Sequence, residues 1–328
     1  MKPVVVLASP VPDDVLQQLE AQSQLRRFDA PRAKADLAAF HAALADAEGL
    51  IGVGLKIDAA FLAHAPKLKV VSTISAGYDT IKVDDLTARG VALFNTSGAL
   101  AGTTADTALA LMLAVARRVV ELDRWVRDGH WRQNLPAEFF GVDVQGKTLG
   151  IIGMGSIGAE VARRGALGFG MRVLYTKRTP HPQAEQAFGA RRCELDELLS
   201  QSDFVCVTVP LTPQTRNLLG AAEMARMKPK AILINIARGG IIDEAALAAA
   251  LASGHLAGAG LDVFETEPVL ADNPLLQLAN VVALPHIGSA TQETRHAMAV
   301  SAGQNLLRAL AGEPDLANAV NPGVFGAA

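Results

Sequence analysis

Three observations predict an α/β chain of two domains, each a Rossmann-like doubly wound parallel sheet. Short β-branched runs alternate with helical segments from the N-terminus. The alternation restarts, more regularly, after the polar and aromatic stretch GHWRQNLPAEFFG at 129–141. The first strand of the restart runs into a GxGxxG pattern at 153–158. A cleft between the domains and long crossing helices linking them complete the expected architecture.

The elements follow in order. VVVL (4–7), GLIGV (49–53) and VVSTIS (70–75) read as strands, the last ending in a turn at Ala76-Gly77. The stretch from Thr103 to about Arg127 has no Gly or Pro and reads as one helix, roughly 35–40 Å long at ~1.5 Å per residue. TLGIIG (148–153), RVLYT (172–176), FVCVTV (204–209), AILINI (231–236), GAGLDV (258–263) and VVALP (281–285) are six further strands. Several are continuous apolar runs, as strands covered on both faces should be. A second long helical segment at 289–312 and a short NAVNPGVFGAA tail are too little for a third domain, so the chain should return to the first. The expected domains are therefore 1–101 plus 290–328, binding substrate, and 102–289, binding a dinucleotide.

Composition narrows the function. Of 328 residues, 50% are hydrophobic and 19% charged, enough apolar mass for two cores. The net charge of −3, with no basic block longer than Arg191-Arg192, leaves no electrostatic footprint for nucleic acid. The apolar start is too short for a secretory signal, and no later run approaches the ~18–20 uncharged residues of a membrane span. The expectation is a cytoplasmic protein without a membrane partner. Cys193 and Cys206 are too few for a disulfide framework and have no zinc spacing, so both read as buried thiols and no metal is expected.

TLGIIGMGSIGAEVARR sets Gly153, Gly155 and Gly158 after a strand and at the start of a helix. Glycines there permit a tight turn, close approach of a pyrophosphate and helix-to-strand packing, while the helix N-terminus faces the phosphate charge. NAD-binding versions carry an acid ~20 residues on, which accepts hydrogen bonds from the ribose. Here no carboxylate occurs between Glu160 and Glu185, and the second strand ends at Thr176 followed by Lys177 and Arg178. A 2′-phosphate matches a Lys charge and an Arg fork. The pair is therefore expected to favour NADP(H), with Thr176 a hydroxyl donor and NAD(H) still usable; a solvated basic turn is the plainer alternative.

Three polar residues follow strands of the same domain, where doubly wound folds bind ligands. Arg238 follows AILINI, Glu267 lies beyond GLDV, and His286 directly follows VVALP. Arg238 would hold a 2-keto acid by its carboxylate and carbonyl oxygen. His286 would donate a proton to that oxygen, and Glu267 would orient the imidazole and favour its charged form. Each has an ordinary alternative: Arg238 pairing with Asp262, His286 as a core histidine, Glu267 as a surface acid.

GMGSIG, INIARGG, GLDVFETEP and PHIGSAT, in this order and spacing, resemble the D-isomer-specific 2-hydroxyacid dehydrogenase family over nearly the whole chain. Within it the chain is most similar to the glyoxylate/hydroxypyruvate reductases that also reduce 2-ketogluconate, on STISAGYDTIKVDDLTARGV, DVQGKTLGIIGMGSIG, ANVVALPHIGSATQETR and the NAVNP tail. The resemblance implies Arg238 as substrate-binding arginine, Glu267 as the acid paired with histidine, and His286 as proton donor. It implies Ala76 and Gly77 as the loop whose amides hold the substrate carboxylate. The implied cofactor contacts are Gly153, Met154, Gly155, Ser156, Ile157, Gly158, Pro210, Ala237, Asp262, His286 and Gly288. A homodimer formed through the cofactor domains is implied as well. The cations after Thr176 depart from the NAD-using members and agree with the NADP-using branch.

In this fold Leu55 and Lys56 should face the cleft, where Lys56 would meet a polar substrate tail. Trp131 would either reach the substrate pocket of a dimer mate or cap a core. Tyr78 and Lys82 have the YxxxK spacing of short-chain dehydrogenases but lie ~70 residues upstream of the glycine motif, on the wrong side for that chemistry. The expected activity is NADPH-dependent reduction of small 2-keto acids to D-2-hydroxy acids. The rivals are an NAD-linked dehydrogenase of the same fold, of phosphoglycerate or lactate type, and a nucleotide-sensing binding protein without turnover.

Overall fold

The computed structural model describes residues 2–28 and 34–326. The chain forms two compact units, Met1–Leu100 with Ala290–Ala328, and Ala101–Ser289.

In the first unit β1 (Val4–Leu7), β2 (Gln24–Arg27), β3 (Gly49–Gly52), β4 (Val70–Thr73) and β5 (Ala92–Phe94) make a five-stranded sheet ordered β2-β1-β3-β4-β5, every pair parallel. The sequence pattern missed β2 and β5. β2 lies at the sheet edge with its side chains at least partly exposed, so QLRR carries no apolar run. β5 has only three residues, and its pairing depends on the distant tail: the Val320 N–H donates to the Leu93 oxygen at 2.8 Å, and Asn321 Oδ1 accepts from the Leu93 N–H at 2.8 Å. Helix Gln292–Leu310 crosses the sheet; the Ser72 hydroxyl donates to the Ala302 oxygen at 2.9 Å.

In the second unit β6 (Thr148–Ile152), β7 (Arg172–Thr176), β8 (Arg191–Arg192), β9 (Phe204–Val207), β10 (Ile232–Asn235), β11 (Gly258–Leu261) and β12 (Val281–Ala283) are ordered β12-β11-β10-β9-β6-β7-β8, again all parallel. Six of the seven coincide with the apolar runs; two-residue, exposed β8 has no such signal. The order reverses between β6 and β9, the point beside which such sheets bind ligands. Every residue of β6, β9, β10 and β11 is buried because helices cover both faces, which is why those runs do not alternate.

The helix expected over 103–127 is two helices, Ser97–Ala116 and Val119–Arg127. Arg118 between them is left-handed, φ 53°. The break has a local cause. The Val142 N–H donates to the Ala116 oxygen at 2.8 Å, and Gly141 lies so close that a Cβ would stand 2.3 Å from that oxygen, so the returning chain occupies the space of a further turn. Arg118 then holds Glu121 with two bonds of 2.8 and 2.7 Å and lies 5.1 Å from the centre of the Phe139 ring. Only Ser97–Ala116 spans from one unit to the other; the return at Ser289–Ala290 precedes Gln292–Leu310.

Contrary to the reading of the sequence, Ser97–Ala116 is long and apolar enough to cross a membrane by length and composition. Its apolar residues have another use: Ala105, Ala108, Leu111 and Met112 are at most 1% exposed within the core of the second unit. Truncating Leu111 to Ala would cost about 2–5 kcal/mol.

Candidate active site

Parallel pairing sets one row of residues at the carboxyl edge of the second sheet. Ile152 aligns with both Thr176 and Val207, Val207 with Asn235, Asn235 with Leu261, and Leu261 with Ala283. The segments carrying the glycines, the cations, Arg238, Asp262 and His286 all start there.

The three motif glycines have three different reasons to lack a side chain. Gly153 is at φ +102°, where an added Cβ would also stand 2.8 Å from Val209 Cγ1. At Gly158 a Cβ would fall 2.2 Å from the Gly153 oxygen, so helix Ser156–Phe169 packs against the turn only with glycine. At Gly155, the residue before that helix, nothing lies within 4 Å of an added Cβ. The protein itself has no need of glycine there, and the open space before a helix N-terminus is what a pyrophosphate requires. Met154 is fully buried, Ser156 exposed and Ile157 partly buried. The site thus fits a dinucleotide by the chain's own geometry.

Beside it, the Gly153 N–H donates to the Thr176 oxygen at 3.0 Å, which ties the glycine turn to the end of β7. Thr176 and Lys177 are partly buried and Arg178 is exposed. Glu185, the first acid beyond the turn, accepts from the Tyr175 hydroxyl at 2.6 Å, and that hydroxyl accepts from the His181 N–H at 2.8 Å. Burial and the neighbouring Glu185 carboxylate both push the Tyr175 hydroxyl above its usual pKa, so it stays the donor. Exposed Pro210 follows β9, its oxygen accepting from Thr215 Oγ1 at 2.6 Å.

After β10, the side chain of buried Asn235 accepts from the Ala237 N–H at 3.1 Å and donates to the Arg238 oxygen at 3.0 Å. It thereby shapes the turn that carries Arg238, whose own guanidinium donates to the Ala237 oxygen at 2.7 Å. The sequence reading did not single out Asn235; INIARGG contains it, but nothing in the string says that the side chain turns back on the backbone.

The sheet also brings together two residues 19 positions apart: His286 Nδ1 lies 2.7 Å from Glu267 Oε2. Glu267 Oε1 accepts from the Phe264 N–H at 3.1 Å, so one carboxylate is fixed at both oxygens. The pair is open to solvent, with 46% of the His286 and 37% of the Glu267 side chain exposed, which sets aside the core-histidine alternative. His286 is left-handed, φ 55°. Three bonds to one residue hold it so: the His286 N–H donates to the Asp262 oxygen (2.9 Å), Ile287 N–H to Asp262 Oδ1 (2.7 Å) and Gly288 N–H to Oδ2 (2.8 Å). Asp262, expected as a cofactor contact, thus has both carboxylate oxygens committed to the loop that carries the histidine. Burial pushes its pKa up, and the two N–H donors and His286 only partly offset this.

In the first unit, Asn95 Nδ2 donates to the Ala76 oxygen (3.0 Å) and Ser75 Oγ to the Gly77 oxygen (2.6 Å), which fixes the loop after β4. Leu55 departs from expectation. It is 7% exposed and packs in the apolar core of that unit, because the chain turns in toward Ile57; of the two, Lys56 is the exposed one. Trp131 is 66% exposed and caps no core among the described residues. Cys193 and Cys206 are buried thiols, and burial pushes Cys206 up to about 12. No group of three metal-ligating side chains exists among the described residues.

A doubly wound sheet with a fitted phosphate turn and a carboxylate-paired histidine at the same edge defines a dinucleotide-dependent oxidoreductase. The chain belongs to the D-isomer specific 2-hydroxyacid dehydrogenase family, whose NAD binding domain matches residues 109–288. It is an NAD(P)-dependent enzyme, and its cofactor is a nicotinamide dinucleotide. It is 53% identical, over 99% of its own length and 100% of the relative's, to glyoxylate/hydroxypyruvate reductase B of Pectobacterium carotovorum subsp. carotovorum (strain PC1). Among solved structures it resembles a glyoxylate reductase from Paecilomyes thermophila (TM-score 0.89, 33% identity, covering 97% of this chain and 98% of that one). It also resembles an NADPH-dependent glyoxylate/hydroxypyruvate reductase from Sinorhizobium meliloti in complex with NADP and malonate (TM-score 0.81, 32% identity, 94% of each chain).

Proposed function

We propose that this enzyme reduces small 2-keto acids, glyoxylate and hydroxypyruvate foremost and 2-ketogluconate with them, to D-2-hydroxy acids, with NADPH as the preferred reductant. The observation that carries the reading is the 2.7 Å contact of His286 Nδ1 with Glu267. With Nδ1 committed to a carboxylate, Nε2 of the imidazolium is left to give its proton to the carbonyl oxygen. Glu267 keeps the ring oriented for that transfer. Arg238 binds the substrate carboxylate and carbonyl oxygen, and the Ala76 and Gly77 amides bind the carboxylate. Lys56 meets the polar tail of longer substrates. The nicotinamide, when bound, supplies the hydride.

Preference for NADPH is supported by Lys177 and Arg178 after β7 and by the engagement of Glu185 with Tyr175. Substrate class is supported by the reductases at 53% and 33% identity. The test is kcat/KM for NADPH and NADH with glyoxylate, hydroxypyruvate and 2-ketogluconate in parallel. A preference for NADPH of about tenfold or more, ~1.4 kcal/mol, supports the reading. Equal or reversed preference moves the enzyme to the NAD-linked type, and no turnover with any 2-keto acid overturns the assignment.

The same reading includes a homodimer in the cytoplasm. Val119, Val126, Trp131, Phe140 and Val142 expose apolar side chains within 24 residues of the cofactor-binding unit, which supports self-association there. Sedimentation at micromolar concentration checks it, and a monomer overturns it.

A further inference from the structure

Resting on the reading of the turn after β7 as the NADPH phosphate subsite, we infer that Arg192 is a positioning residue for that subsite and sets the cofactor preference through Lys177 and Arg178. β8 pairs with β7 in a register that sets Arg192 opposite Tyr175, two residues before Lys177. Arg192 Nε donates to the Lys177 oxygen at 2.7 Å and Nη2 donates to the Arg178 oxygen at 3.2 Å. One planar fork therefore binds the backbone of both cationic residues and leaves their side chains for a ligand.

The adjacent arginine shows the contrast. Arg191 is spent on Glu197 at 2.7 Å, whereas Arg192 forms no ion pair with a carboxylate among the described residues. Its charge is thus uncompensated by an acid and lies beside a turn that already carries two cations. The Tyr175 hydroxyl holds both Glu185 and the His181 N–H, which anchors the chain on the far side of the turn. The five-residue loop 177–181, pinned at both ends and crossed by a guanidinium, has already lost backbone freedom that would otherwise be given up on binding. Lysine has its three donors on one nitrogen and so cannot hold two carbonyl groups from separate nitrogens in a fixed plane.

The experiment is steady-state kinetics with both cofactors on the intact enzyme and on Arg192→Ala, Arg192→Lys, Arg178→Ala and Lys177→Ala/Arg178→Ala, the last with and without Arg192→Ala. Arg192→Ala should lower the NADPH-to-NADH ratio of kcat/KM about tenfold, through KM for NADPH rather than kcat, and Arg192→Lys should recover only part of it. In the Lys177→Ala/Arg178→Ala background, Arg192→Ala should change the ratio less than about twofold, since its effect passes through those residues. Wild-type behaviour from Arg192→Lys, or a full additive loss in that background, overturns the inference by making Arg192 a plain charge or a direct ligand. If the wild type prefers NADPH and Arg178→Ala abolishes this while Arg192→Ala does not, the inference falls and the subsite stands. If the wild type has no preference for NADPH, both fall.

Discussion

The imidazole of His286 and the carboxylate of Glu267 meet at 2.7 Å, and the second oxygen of that carboxylate is held by the Phe264 N–H. Glu267→Ala removes the carboxylate that fixes the ring at Nδ1. Its kcat should fall about tenfold or more while KM for the cofactor changes little. Wild-type kcat in that variant would mean that Glu267 does not position the histidine. His286→Asn should lose about 10²–10⁴ in kcat with cofactor KM little altered.

Asp262 is 1% exposed and accepts from two successive N–H groups, Ile287 and Gly288. Asp262→Asn would turn an amide N–H toward one of those donors and leave it unsatisfied, at about 1–3 kcal/mol. The loop holding His286 left-handed should loosen, so kcat should drop at least about tenfold while the fold, read by circular dichroism, persists. Retention of wild-type kcat would refute the positioning role.

The glycines separate folding from binding. Gly158→Ala would bring a Cβ to 2.2 Å from a backbone oxygen and should lower the thermal midpoint markedly. Gly155→Ala meets nothing within 4 Å, so the midpoint should barely move while KM for the dinucleotide rises. Differential scanning calorimetry alongside cofactor titration checks both, and equal effects on midpoint would contradict the packing.

Asp203 ties β9 to its neighbours: Oδ2 accepts from the Thr148 N–H at 2.9 Å and Oδ1 is paired with Lys228. Burial pushes its pKa up, but Lys228 and Thr148 outweigh this and hold it below the ordinary 3.8. A depressed folded value means that this stabilisation is present above the unfolded pKa and disappears as pH falls through the folded one. The wild-type advantage over Asp203→Asn, about 1 kcal/mol after allowance for partial exposure, should therefore be full near neutrality, begin to shrink near about pH 4, and disappear only as pH falls through the lower folded value in urea titrations. A pH-independent difference would rule out the charge as its source.

Strands whose residues are buried on both faces were legible as apolar runs, because continuous burial leaves a continuous composition. β6, β9, β10 and β11 are wholly of this kind and β7 is so at its centre, while partly exposed β12 was legible by its apolar composition alone. β2, β5 and β8 were not, since an edge position or two to three residues impose little on composition, and β5 pairs through a tail more than 220 residues away. The break at Arg118 was equally hidden: helical composition runs through it, and only the approach of Gly141 and Val142 to Ala116 stops the helix.

The sequence by itself determined the parallel α/β plan, the glycine turn and the identities of Arg238, Glu267 and His286 as candidates, because each is written in a short local pattern. Tertiary structure alone decided what those residues touch. It paired Glu267 with His286, committed both oxygens of Asp262 to the histidine loop, buried Leu55 in the core, and drew Arg192 onto the backbone of Lys177 and Arg178. The physical reason is that hydrogen bonds between segments depend on the register of the sheet, and register is a property of packed strands that no single segment encodes.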